Sequence, residues 1–304
     1  MTDRAPLVHV GYHKTGTTWL QTGLFADEAP GFVRPWDSKA IRGALVLADP
    51  FGFDAREARR SFAPGLGGAA RRGLVPVVSD ERLSGSPHAG GYDAALLAER
   101  LAAVFPEARV LLAFREQVEL IHSIYKQYVR DGGVATLAGY LHPRNPAEIP
   151  QFRFGHFEYD RPIRRYRELF GDDRVLALPF ELLAADERAF VDEILAFCGL
   201  QPGADYRPGV RYPALGAATL ALKRWTNRLA VRNALSPAAP LYVKDHERRF
   251  ERLDRLVPRG LSARRERRER AAVAEAVGDR YAESNRRTAE LTGRDLAAMG
   301  YRLL

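Results

Sequence analysis

The chain holds a single cysteine, Cys198, in 304 residues. That excludes an intramolecular disulfide and any cysteine-cluster metal site, and it makes a reducing cytoplasm the expected compartment. No apolar run approaches the roughly 18 residues that cross a bilayer as a helix. The opening MTDRAPLVHVGY lacks the basic-then-apolar order of a secretory leader, which again points to the cytoplasm. His9, His122, His142, His156 and His246 show no metal-ligand spacing, and no repeat or low-complexity linker interrupts the sequence. Acidic residues are the scarcer charge, 38 against 46 lysines and arginines, for a net charge of +8. A field of that sign favours an anionic partner without choosing one. No groove-reading or base-stacking motif accompanies it, so nucleic acid is not the expected partner.

The pattern that is present alternates short apolar runs with amphipathic stretches. LVHVG (7–11), LVPVVSD (74–80), ARVLLAF (108–114) and VLALPF (175–180) read as buried strands. Helices are expected from Thr17 to Phe25, in a broken form over 38–62, and over 92–105, 116–130 and 186–198. A loop rich in proline is expected over 143–162. After the turn-rich segment 201–213 the pattern is helical and rich in arginine, with SARRERRER (262–270) the densest charge run. That run reads as a solvated helix carrying a Glu266–Arg270 pair, or as a cationic rim on an anion cleft. Strand–helix alternation predicts an α/β fold: a P-loop-like parallel sheet flanked by helices, with a helical C-terminal portion, in one domain over 1–304. Ligands of such sheets sit at the carboxyl ends of the strands.

The stretch GYHKTGTTWLQ (11–21) lies at such an end, between a strand and a helix. The free amides of a first helical turn and the helix dipole form an anion site there. Gly16 permits close backbone approach, Thr17 and Thr18 offer hydroxyls, and Lys14 adds a positive charge. An ATP loop requires G-x-x-x-x-G-K-[ST]. Here lysine precedes the second glycine and Thr17 stands where that pattern has lysine. The loop is therefore an anion cradle but not a normal magnesium–ATP loop.

Lys14-Thr15-Gly16-Thr17-Thr18-Trp19-Leu20 resembles the 5′-phosphosulfate loop of sulfotransferases that use 3′-phosphoadenosine 5′-phosphosulfate (PAPS). The family's second signature is a strand-ending arginine followed by a serine in the next helix, and Arg115 and Ser123 are similar to it. PFELL (179–183) resembles the family segment near the adenine, with Phe180 in the aromatic position and Leu182 replacing an acidic residue. Residues 281–301 look like the closing helix of bacterial members. The R-K-G segment of cytosolic animal members is missing, which leaves arginines in 259–270 as candidates for further 3′-phosphate contacts.

The resemblance implies sulfuryl transfer from PAPS to a hydroxyl without a metal, leaving 3′-phosphoadenosine 5′-phosphate (PAP). The cofactor would be bound by Lys14, Thr15, Gly16, Thr17, Thr18, Trp19, Arg115, Ser123 and Phe180. Lys14 would neutralise charge on the departing oxygen, and a base would take the acceptor proton. Glu81, after the strand between the two signatures, is the first candidate for that base. His88 and Asp80 are the others, although Asp80 points to the opposite face if the strand continues. His13 borders the loop and would orient its turn. Tyr140, His142, Phe152, Phe154, His156 and Tyr159 are candidates for aromatic walls around the acceptor. Such platforms and a basic surface suit a glycan, with a lipid or small alcohol as the alternative. An ATP-dependent phosphotransferase is the rival enzyme, because VPVVSDE resembles a magnesium-holding strand end.

Overall fold

The computed structural model describes residues 4–143, 151–210, 215–230, 233, 235, 239–241, 243 and 246–303. Parts of the proline-rich loop and of the 201–213 turn lie outside the described residues, as does the side chain of His246. In chain order the elements are β1 (Leu7–Gly11), α1 (Thr17–Thr22), β2 (Phe32–Val33), α2 (Ser38–Ile41), α3 (Ala55–Arg71), β3 (Val75–Ser79), α4 (Ala94–Val104), β4 (Arg109–Phe114) and α5 (Gln117–Arg130). There follow α6 (Leu137–Leu141), α7 (Asp160–Phe170), β5 (Val175–Pro179), α8 (Phe180–Ala185), α9 (Glu187–Phe197), α10 (Ala217–Ala230), α11 (His246–Asp254), α12 (Arg259–Val277) and α13 (Ala282–Thr292).

The five strands form one parallel sheet in the order β2-β3-β1-β4-β5. Every residue of β1 and β3 is buried, as expected of parallel strands covered on both faces. One apolar cluster joins Val8, Val10, Val110 and Leu112 to α3, α4, α5 and α7 on one face. The other joins Leu7, Val77 and Leu111 to Trp19, Leu24 and α9. The chain leaves β1 toward both neighbours, β3 on one side and β4 on the other. This is a switch point, so the loops after β1, β3 and β4 converge at one edge.

The four long strands and the α/β architecture match the sequence reading. The first helix ends at Thr22 rather than Phe25 because the chain turns at Gly23, where a Cβ would lie 2.4 Å from the Gly209 nitrogen. Phe180 opens α8 instead of closing β5. Helix α7 was not anticipated: its charged residues and Pro162 mask the Ile163, Tyr166, Phe170 stripe that it buries. Pro162 is tolerated because it sits in the first turn, where its missing N–H has no helical partner to lose. The broken helix over 38–62 is resolved as α2, a π turn at Arg42–Val46, and α3.

Candidate functional site

One cleft of about 540 Å³ opens at the switch point. Its lining includes Lys14, Gly16, Thr17, Thr18 and Trp19 after β1, Glu81 after β3, Arg115 and Ser123 from the β4–α5 unit, and Phe180 and Leu183 of α8. Both predicted anion-binding segments and the first-choice carboxylate thus share one cavity.

The cradle is built from local backbone chemistry. Lys14 has a positive φ of 67° and Gly16 one of 87°, and a left-handed lysine is uncommon enough to mark a functional turn. The Thr15 hydroxyl, fully buried, donates to the Tyr12 carbonyl at 2.5 Å and locks the turn from beneath. Thr15 is therefore a brace, not a cleft wall. Gly16 caps α1 without a side chain to accept the first-turn amides, which leaves them to face an outside anion. The Thr17 hydroxyl is buried with no hydrogen-bond partner among the described residues, as is His9 Nε2. A Cβ on Gly11 would lie 2.7 Å from that hydroxyl and 2.8 Å from that ring nitrogen, so glycine is required here. His9 Nδ1 meets Ser79 Oγ at 2.8 Å, and burial holds its pKa down at about 3.

The second segment is seated with equal care. Glu116 caps α5, its carboxylate accepting from the amides of Val118 and Glu119. Tyr159 donates to the Arg115 carbonyl at 2.5 Å. The Arg115 guanidinium lies over the Phe180 ring, 4.9 Å from its centroid. It reaches the Lys14 carbonyl at 3.5 Å and Glu119 Oε2 at 3.5 Å. These long contacts tie the two segments together while leaving the fork of donors underused.

No protein hydrogen bond among the described residues holds the Lys14 ammonium. Burial lowers its pKa, and Glu81 opposes that shift. Glu81 shows the mirror image: burial raises its pKa and Lys14 pulls it back. Glu81 Oε1 lies 3.8 Å from His13 Nε2. Burial holds His13 well below its usual range, so this is a neutral ring beside a carboxylate and not an ion pair.

The other candidates for the base are engaged by protein groups. Asp80 is buried, bound by Arg42 Nε at 2.9 and 3.0 Å, and caps the next turn through the Arg82 amide. His88 Nδ1 sits 2.9 Å from Tyr140 Oη, and burial lowers its pKa to about 4. Neither lines the cleft.

None of the proposed aromatic walls is among the residues that line this cleft. Tyr140, Phe152 and Tyr159 are buried in the core cluster, with Phe154 packed against it. His156 lines a separate cavity of about 380 Å³ with Tyr12 and Tyr166. The alternating aromatic spacing answered to packing. No residue of 259–270 lines the cleft either. Arg270 meets Glu119 at 2.7 Å, and Glu266 meets Lys126 at 2.8 Å instead of pairing closely with Arg270. The cleft cations that the sequence reading missed are Lys126 and Arg130, beside Gln127. They lie one and two turns beyond Ser123 on the same helix face, so the spacing from Ser123 was the available signal.

Residues 94–204 match the family model described as the sulfotransferase family. That segment is similar to the sulfotransferase family. The match covers Arg115, Ser123 and Phe180, whereas the Lys14–Trp19 loop and Glu81 lie outside it. The chain is similar in fold to the crystal structure of a sulfotransferase from Alicyclobacillus acidocaldarius, at a TM-score of 0.57 and 18% identity over 98% of this chain and 99% of that one. It also matches a sulfotransferase domain from the curacin biosynthetic pathway, at a TM-score of 0.36 and 12% identity over 82% of this chain and 97% of the domain. No curated protein matches the sequence. The fold shared with the Alicyclobacillus structure takes in 98% of the chain, including the strands around the cleft.

Proposed function

We propose that the chain is a cytoplasmic, bacterial-type enzyme that transfers the sulfuryl group of PAPS to a hydroxyl acceptor. The observation that carries this reading is the single cleft in which Lys14, Thr17, Glu81, Arg115 and Ser123 all present side chains. Its residues fit a nucleotide with anions at both ends. The uncapped first turn of α1 and the orphaned Thr17 hydroxyl suit the 5′ end. The Arg115 fork and Ser123 suit the 3′-phosphate, and Phe180 and Leu183 offer an apolar surface to the base.

When bound, PAPS would supply the sulfuryl group and its leaving oxygen. Lys14 holds positive charge where negative charge develops, in a half-buried setting that strengthens the interaction. Glu81 accepts the acceptor hydroxyl's proton, its raised pKa bringing it nearer the proton's own. His13 stays neutral and flanks that carboxylate. Arg115 and Phe180 orient the nucleotide by stacking and hydrogen bonding.

Asp80 speaks against the ATP alternative, since the carboxylate that would hold magnesium is committed to Arg42 and a helical cap. The donors Lys126, Gln127 and Arg130 beside Lys14 support a polar, hydroxyl-rich acceptor such as a carbohydrate. The test is unfolding of the purified chain with each nucleotide. PAP in EDTA should stabilise it, by about 2.7 kcal/mol at a hundredfold excess over Kd. Stabilisation by ATP with magnesium but not by PAP would overturn the reading. Labelled PAPS screened against glycans, lipids and small alcohols tests the acceptor, and turnover confined to simple alcohols would remove the carbohydrate.

A further inference from the structure

Exposed apolar side chains are not scattered evenly over this protein. Among the described residues, seven of the eleven large exposed ones fall between 210 and 261. Three form a stripe on α10: Leu222 is 47% exposed, Trp225 59% and Leu229 47%. Their spacing of three and four puts them on one helix face. The backbone N–H of Leu241, also exposed, donates a hydrogen bond to the Leu229 carbonyl at the end of that stripe.

The orientation of α10 is fixed from the other side. Thr219, Lys223 and Asn227 are buried, and Asn227 donates to the carbonyls of Val129 and Gly133 at 2.8 and 2.9 Å. Rotating the stripe inward would bury Trp225 only by breaking these bonds. Leu220, on the inner side, lines the cleft, so α10 stands between the cleft and the exposed stripe.

Three carboxylates of the neighbouring helices turn inward: Asp254 accepts from Gly216 and Thr219, Glu266 from Lys126, and Glu269 meets His122, whereas Glu251 on α11 and Glu275 on α12 stay exposed. The exposed residues Arg228 on α10, Arg249 and Arg252 on α11, and Arg264 and Arg268 on α12 pair with no carboxylate among the described residues. What faces outward on α10 is a tryptophan–leucine stripe with exposed Arg228 on the same helix, and the two helices packed on α10, namely α11 and α12, add further exposed arginines.

We propose that this face docks on an anionic lipid bilayer. Tryptophan and leucine on one face with arginine beside them is the composition of a helix that lies in a membrane interface. Arginines near such a surface are drawn to its anionic headgroups. A nucleic acid would use the arginines and leave the stripe wet. A second copy of the chain would bring two sets of like charges together across a twofold axis. The inference stands on surface chemistry alone and does not depend on PAPS or on the acceptor.

The test uses sedimentation of the full chain with vesicles of phosphatidylcholine alone or mixed with phosphatidylglycerol. Binding should require phosphatidylglycerol and weaken with salt. Trp19 and Trp36 are buried, so a blue shift of emission on binding reports Trp225 alone. Leu222→Glu with Leu229→Glu should weaken binding on the order of tenfold or more, from the lost apolar burial. The Leu222→Ala, Leu229→Ala pair should give a smaller loss in the same direction. The unfolding midpoint should stay unchanged, because these side chains touch water. No binding to phosphatidylglycerol vesicles would overturn the proposal. So would binding that survives both pairs of substitutions, or a stable dimer in solution that the glutamates dissociate.

Discussion

Replacing Arg115 with methionine keeps the length of the stem and removes the charged fork. In the structure the Arg115 side chain is 21% exposed, and its guanidinium shares Glu119 with Arg270 and stacks over Phe180. Its protein contacts are long, 3.5 Å to both Lys14 O and Glu119 Oε2, so it gives up little when it turns to a phosphate. Hydrogen bonds to a charged group contribute about 1.5–3 kcal/mol net. The Kd for PAP should therefore rise roughly 10- to 150-fold. Adenosine 5′-phosphate, which lacks the 3′-phosphate, should lose only the stacking contribution. Titration calorimetry of both nucleotides on both proteins closes a cycle whose coupling energy isolates the 3′-phosphate, about 1.5–3 kcal/mol. Arg115→Lys should fall between, since it restores charge without the planar fork. Equal losses for the two nucleotides would refute the assignment, because they would show that Arg115 only braces the Lys14 turn.

Glu81→Gln should lower kcat on the order of 10²- to 10⁴-fold while PAP binding stays close to that of the parent, and His88→Asn should leave turnover largely intact. A reversal of those two results in a sulfation assay would move the base to His88. The profile of kcat/KM against pH should be bell-shaped. Activity should rise through a Glu81 pKa displaced above the usual carboxylate and fall through a Lys14 pKa displaced below the usual lysine. Glu81→Gln should remove the acid limb alone. Gly16→Ala forces a non-glycine residue to φ 87° and sets a Cβ 2.8 Å from Leu183 Cδ2. Denaturant unfolding should show a loss of about 1–3 kcal/mol, with PAP affinity falling as well.

The readable parts of this site were those in which a residue's type and its place at a strand end carry the same message. Lys14, Gly16, Glu81 and Arg115 each lie within a short loop of a buried strand's end, so locating the strands located the residues. Lys126 and Arg130 were missed because charged residues on an amphipathic helix look alike whether they face water or a cleft. Only the tertiary placement of α5 separates the two. The aromatics over 140–159 failed for the opposite reason. Their spacing is equally that of a packed core, and Tyr159 proved to hold the Arg115 carbonyl. Helix α7 escaped because seven of its eleven residues are charged or proline, while burial rests on only a few apolar positions. The arginine run was read in part: its outward residues are solvated, whereas Glu266 and Arg270 reach across to α5.

The C-terminal residues bear on the cleft through a chain of hydrogen bonds that no local pattern announces. Tyr301, buried, donates to Glu181 Oε2 at 2.8 Å, and Glu181 Oε1 accepts the Glu116 amide at 3.0 Å. Glu116 in turn caps α5, directly after Arg115. The carboxylate of Glu181 therefore pins the β4–α5 junction while Phe180, its neighbour, stacks on the Arg115 guanidinium. One turn of α8 fixes both the backbone and the side chain of the same arginine. An aromatic–glutamate pair at the end of β5 is needed for that arrangement whether or not the aromatic touches a nucleotide. Leu182, where the family pattern has an acidic residue, takes no part in it and packs against the apolar cluster instead. Its departure from the pattern leaves the seating of Arg115 intact.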